Sequence, residues 1–163
     1  MNYFSFTLFY FIKKYPWQKS LLRVFTILLP FFFNTINAQF SFDELNQKMQ
    51  QKPKYIIMNI SSQKCIYCMM QQKRIQKDAE LQKRLDSQVY YFSWTVEEIG
   101  AITFNTYSFK DGNDFVENFG KSADGIIGFP LWIVFDENYN VVFRNPGVLK
   151  NENIQAILNL IKK

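Results

Sequence analysis

The chain has 163 residues, the size of one domain, and is 48% hydrophobic and 18% aromatic, which suits a packed core and excludes a disordered polymer. Its net charge of +5 is unevenly placed: residues 1–38 carry Lys13, Lys14, Lys19 and Arg23 and no acid, leaving a body with 15 basic and 14 acidic residues. A nearly neutral body lacks the basic footprint that a phosphate backbone selects, so no nucleic-acid partner is expected.

In chain order, Lys19 and Arg23 precede an apolar run, Val24 to Phe33, followed by the polar stretch Asn34 to Asn37 and the small residue Ala38. Positive charge, a short apolar run and a small residue before Gln39 are the three parts of a secretory signal. The run is about ten residues, well short of the roughly twenty that span a bilayer, and Pro30 limits any helix within it. Ile36 is large for its place, and Tyr3 to Ile12 forms a second apolar stretch, so an uncleaved membrane anchor is the alternative. No cysteine lies near the cleavage region, which excludes a lipoprotein. Either reading places the folded part outside the cytoplasm, periplasmic or extracellular.

The body opens with Ser41-Phe42-Asp43-Glu44, a capping box that predicts reciprocal side-chain bonds at a helix start. Phe42, Leu45 and Met49 give that helix one apolar face, and Pro53 ends it. Tyr55 to Ile60 is a continuous apolar run of the kind buried on both faces of a sheet. Ser61 to Lys64 reads as a polar turn, and a helix begins at Cys65. Asp78 restarts that helix as a new N-cap, with Leu81 and Leu85 inward.

Val89 to Val96 reads as a second strand. Residues 97–125 are punctuated by Gly100, Gly112, Gly120 and Gly125, and only Asn113 to Phe119 resembles a helix. The aromatic residues Phe104, Tyr107, Phe109, Phe115 and Phe119 are expected to pack this stretch onto the sheet, a substrate-facing patch being the alternative. After Pro130, Leu131 to Phe135 and Val141 to Phe143 form a hairpin around the turn at Asp136 to Asn140. Asn151 or Asn153 caps a last helix with Ile154, Ile157, Leu158 and Ile161 on one face. The predicted order is α, β, α, β, (α), β, β, α, with no repeat and no linker dividing domains.

Cys65 and Cys68 are the only cysteines, and there is no histidine. Haem attachment through Cys-x-x-Cys-His fails because Met69 follows the second cysteine. Four-ligand zinc is beyond one chain with two such ligands, and histidine acid–base catalysis is excluded. No cofactor is expected. What remains is chemistry that two sulfurs perform together.

At a helix start, free N–H groups and the helix dipole favour a thiolate on Cys65, with Lys64 adding positive charge. Three-residue spacing places Cys68 on the same face, able to attack a mixed disulfide on Cys65. Cys65 is then the nucleophile and Cys68 the resolving thiol. A purely stabilising disulfide gains little from so small a loop. A third reading uses Met69 or Met70 with the thiolates to hold Cu(I), although methionine on a helix is more often core.

A strand, Cys-x-x-Cys at a helix start, then Gly128-Phe129-Pro130 before a hairpin and a final helix resembles the thioredoxin superfamily, over about residues 40–163. Cys65 to Trp94 is similar to its exported branch of thiol–disulfide oxidoreductases. The resemblance implies an α/β thioredoxin fold, a central mixed sheet of about four strands flanked by helices, as one domain over residues 39–163. It further implies that Pro130 is cis and lies against the cysteine pair, leaving the Phe129 backbone free to pair with an extended substrate segment. Lys64, Ile66 and Tyr67 complete the expected substrate surface.

Lys64 stands where the family often has tryptophan, Asn59 replaces a buried carboxylate that assists proton transfer, and Ile66-Tyr67 matches neither the usual reductase nor the usual oxidant. The expected partner is a disulfide-containing protein. The resemblance leans toward reduction, which would require a membrane electron donor in an oxidising compartment, and the protein is expected to act as a monomer. The alternative from another class is a thioredoxin fold kept for protein recognition, its disulfide incidental.

Overall fold

Side-chain caps start four of the five helices in the computed structural model, which describes residues 41–161; the expected leader or anchor at 1–38 lies outside them. Ser41 Oγ accepts from the Glu44 amide at 3.1 Å and opens α1 (Phe42–Gln51). The reciprocal half of the expected capping box is replaced by an ion pair, Glu44 turning forward to Lys48 at 2.8 Å. Strand β1 (Ile56–Ser61) leads through a tight turn to α2 (Ile66–Lys77). Asp78 Oδ1 accepts from Leu81 N at 2.9 Å and restarts the chain as α3 (Ala79–Gln88), as its residue type predicts. Strand β2 (Tyr90–Thr95) and a single 3-10 turn (Val96–Glu98) follow.

Two short strands, β3 (Ile102–Phe104) and β4 (Tyr107–Phe109), pair antiparallel and precede α4 (Gly112–Phe119), capped by Asp111. Strand β5 (Leu131–Phe135), strand β6 (Val141–Pro146) and α5 (Asn151–Leu160) complete the order. The central sheet runs β2-β1-β5-β6. Within it β1 is parallel to β2 and antiparallel to β5, and β5 pairs antiparallel with β6. A mixed four-stranded sheet with helices on both faces is the thioredoxin fold.

Alternation along β1 divides the core. Ile56, Met58 and Ile60 face α1, α4 and the β3–β4 ribbon; Ile57 faces the layer that holds Ile75 of α2, Leu81 and Leu85 of α3, and Ile154 and Leu158 of α5. The first layer is an aromatic cluster centred on Phe115, whose ring lies 5.2–5.7 Å from those of Phe42, Trp94, Phe104 and Phe109, mostly edge to face. Gly112 lets α4 approach this closely, because a Cβ there would fall 2.9 Å from the Trp94 ring. The expected packing role of residues 97–125 therefore holds for Phe104, Phe109 and Phe115, which are buried, and Phe119 packs against them. Tyr107 is the exception, at the turn end of the ribbon and 60% exposed. Truncating a fully buried ring at the centre of such a cluster removes contacts on every side, so Phe115→Ala should cost about 3–5 kcal/mol. Urea unfolding checks this, and a loss below about 1 kcal/mol would contradict the packing described.

Candidate active site

Strand β1 delivers the chain to the end of the sheet where α2 begins. The turn between them closes through a hydrogen bond from Cys65 N to Ser62 O at 3.2 Å, and Lys64 takes the left-handed conformation at φ 60°. A side chain with a Cβ adopts that region at a cost of about 1–2 kcal/mol, so the turn needs outside support. Glu97 supplies it: its carboxylate accepts from Ser62 Oγ at 2.6 Å and from Gln63 N at 3.0 Å. Partial desolvation alone would raise the Glu97 pKa, but the Ser62 and Gln63 hydrogen bonds outweigh it and hold the carboxyl below its usual range.

Cys65 is the N-cap of α2, and its sulfur accepts from the Cys68 amide at 3.1 Å. Cys65 and Cys68 are joined as a disulfide, their Cα atoms 5.3 Å apart. Cys68 is buried and Cys65 half-exposed, so Cys65 is the outer of the two. Ile66 and Tyr67, between them, are 65% and 64% exposed and form an apolar lip on the first turn. Lys64 is exposed beside it.

An open cleft beside the pair is lined by Ser61 to Lys64, Met69, Gln72, Thr95 and Glu98 as well as both cysteines. This cleft lies on the β2 side of β1. The Phe129–Pro130 peptide is cis, as the resemblance implies. It occupies the same end of the sheet on the β5 side, because Leu131 pairs with Ile60. Pro130 is buried, and the Phe129 backbone forms no hydrogen bond among the described residues. Its ring packs against the aromatic layer.

The methionines depart from the expectation of core packing. Met69 and Met70 are 54% and 42% exposed, because the buried face of α2 is set by Cys68, Gln71 and Ile75. Of the two, Met69 lines the cleft with both sulfurs and Met70 does not. Sequence reasoning missed Glu97, Glu98, Thr95 and Gln71. The first three follow from topology: β1 and β2 are parallel, so the segment after β2 lies beside the turn after β1, where open α/β sheets collect their sites.

The chain belongs to the thioredoxin-like family, whose domain model matches residues 42–162. Among solved structures it is similar to a thioredoxin-fold protein from Helicobacter pylori, 14% identical over 67% of this chain and 69% of that one, with a TM-score of 0.55. A thioredoxin from Thermus thermophilus is 13% identical over 76% and 85% of the two chains, with a TM-score of 0.55. DsbH oxidoreductase is 13% identical over 75% and 82%, with a TM-score of 0.53. At these identities the likeness is one of fold. No curated protein sequence matches the chain.

A carboxyl whose folded pKa is depressed stabilises the fold above its unfolded pKa, and that support fades as pH falls through the folded value. The Gln63 amide resonance should therefore titrate with a midpoint below the ordinary glutamate range and lose its titration in Glu97→Gln. A midpoint at or above that range would show that the carboxylate does not clasp the turn.

Proposed function

We propose that the protein is a thiol–disulfide oxidoreductase that exchanges electrons with disulfides of other proteins outside the cytoplasm. The observation that carries this reading is a Cys65–Cys68 disulfide seated on the cap of α2, its outer sulfur already accepting a helix amide. That amide and the helix dipole favour the anionic form of Cys65 once the pair is reduced.

In the reducing direction the Cys65 thiolate attacks a substrate disulfide, forming a mixed disulfide and expelling one substrate thiolate. Cys68 then attacks Cys65 Sγ, closing the Cys65–Cys68 bond and releasing the second substrate thiol. Two electrons pass to the substrate, and the protein is left oxidised. The reverse sequence oxidises a substrate dithiol. Ile66 and Tyr67 offer an apolar lip to the substrate, Lys64 a charge beside it, and the unpaired Phe129 backbone an edge for an extended segment. Residues 1–38 would direct the domain across the membrane or tether it there. Operation as a reductase would require a membrane dithiol donor to recharge the pair.

Redox titration of the full chain in glutathione or dithiothreitol buffers, with thiols alkylated and the oxidised fraction read by mass, tests the reading. A reversible two-electron transition is expected, absent in Cys65→Ser, and Cys68→Ser should accumulate mixed disulfides with substrate proteins. A pair that never opens or never closes would overturn the enzyme and favour a recognition module built on the same fold.

A further inference from the structure

The layer that the buried face of α2 packs against holds several buried hydrogen-bond donors without acceptors. Gln71 lies three residues after Cys68 on the same inward face of α2 and is fully buried. Its Oε1 accepts from Leu149 N at 2.8 Å, which fixes the orientation of the amide and leaves Nε2 as a donor with no acceptor among the described residues. Asn59, 3% exposed, points to the same side of the sheet as Ile57, and its Nδ2 is equally unpartnered. Trp132 is its register partner on β5, sits in that same layer, and leaves Nε1 unpartnered as well. Buried donors without acceptors are costly, and three in one layer leave this region short of negative charge.

We propose that Gln71, supported by Asn59, is a positioning residue whose buried amide donates to Cys68 once the disulfide opens, stabilising the Cys68 thiolate. The proposal rests on the oxidoreductase reading above. When a substrate dithiol reduces the pair, the Cys65–Cys68 bond breaks and the substrate closes its own disulfide. Two electrons and two protons pass to the pair, and of the two thiols so formed Cys68 releases its proton to water through the cleft and accepts the amide N–H instead. Asn59 cannot remove that proton as a carboxylate would; the two amides achieve part of the same end by favouring the anion left behind. The donors are unsatisfied in the disulfide form and satisfied in the reduced one, so they shift the couple toward the reduced protein and make it a stronger oxidant than the same pair without them.

The charged groups sharing the cleft with Cys68 are Lys64 and Glu98, both exposed. On the sheet side, burial, offset in part by a Ser93 hydrogen bond, pushes the Tyr91 phenol up to about 12, so it stays neutral. Along α2, Arg74 and Lys77 lie two to three turns away, in the last turn of the helix.

The test compares reduction potentials of the full chain and its Gln71→Leu, Gln71→Glu and Asn59→Leu variants between pH 5 and 9. Loss of one hydrogen bond to a charged group should change the equilibrium with glutathione roughly tenfold, about 30 mV toward more negative values. The difference should widen as pH rises and Cys68 ionises. Gln71→Glu keeps the acceptor for Leu149 N and removes the donor where its carboxyl is ionised, so toward the upper end of the pH range it separates the two roles of the side chain and should shift at least as far as Gln71→Leu. Variant potentials that equal the wild type, or that differ by the same amount at every pH, would overturn the proposal. A wild-type chain with no reversible transition would instead overturn the oxidoreductase reading, and this inference with it.

Discussion

A strand bonded on both of its edges can send the chain onward only from its end, and β1 is such a strand. Its parallel pairing with β2 and antiparallel pairing with β5 bury it on both faces and both sides. Everything chemical in the molecule is arranged around the exit from Ser61. The turn there is tight enough to place Lys64 in the left-handed region, and the helix that follows must begin with its unpaired amides at the sheet edge. Cys65 sits on that cap because the strand ends where it does.

The two sulfurs then meet different surroundings by geometry alone. Cys65 faces the cleft with a helix amide pointed at it, whereas Cys68, one turn on, points inward among Gln71, Ile75 and the sheet. A half-exposed sulfur next to a helix amide and a buried one are unlike nucleophiles, and a relay from one to the other needs such a difference. The parallel β1–β2 pair adds the last constraint. It brings the segment after β2 alongside the turn, so that Glu97 braces the backbone just before Cys65.

Much of this was legible in the sequence, and the reasons are physical. Ile56 to Ile60 and Leu131 to Phe135 are buried on both faces, so apolar runs, the first interrupted only by Asn59, marked them. Asp78 marked the break between α2 and α3 because a carboxylate N-cap is chemically distinctive. The cysteine pair showed its place through the strand before it. The β3–β4 ribbon stayed hidden because three-residue strands with Thr103, Tyr107 and Ser108 outward carry too little periodicity to register. Glu97 and Gln71 stayed hidden for a different reason. Each acts through a partner distant in sequence, Glu97 on Ser62 and Gln71 on Leu149, and only the paired sheet brings those partners together. Methionines 69 and 70 misled by composition: an apolar residue on a helix is usually core, yet the buried stripe of α2 passes between other positions.

In the proposed function the start of α2 makes Cys65 the attacking thiolate and leaves Cys68 to resolve. Alkylation of the reduced protein as a function of pH, with each cysteine followed by mass, measures this directly. Cys65 should react first, with a midpoint clearly below the ordinary thiol value of about 8.5, and Cys68 should react slowly throughout. Equal reactivity of the two sulfurs at an ordinary midpoint, or faster reaction at Cys68, would contradict it.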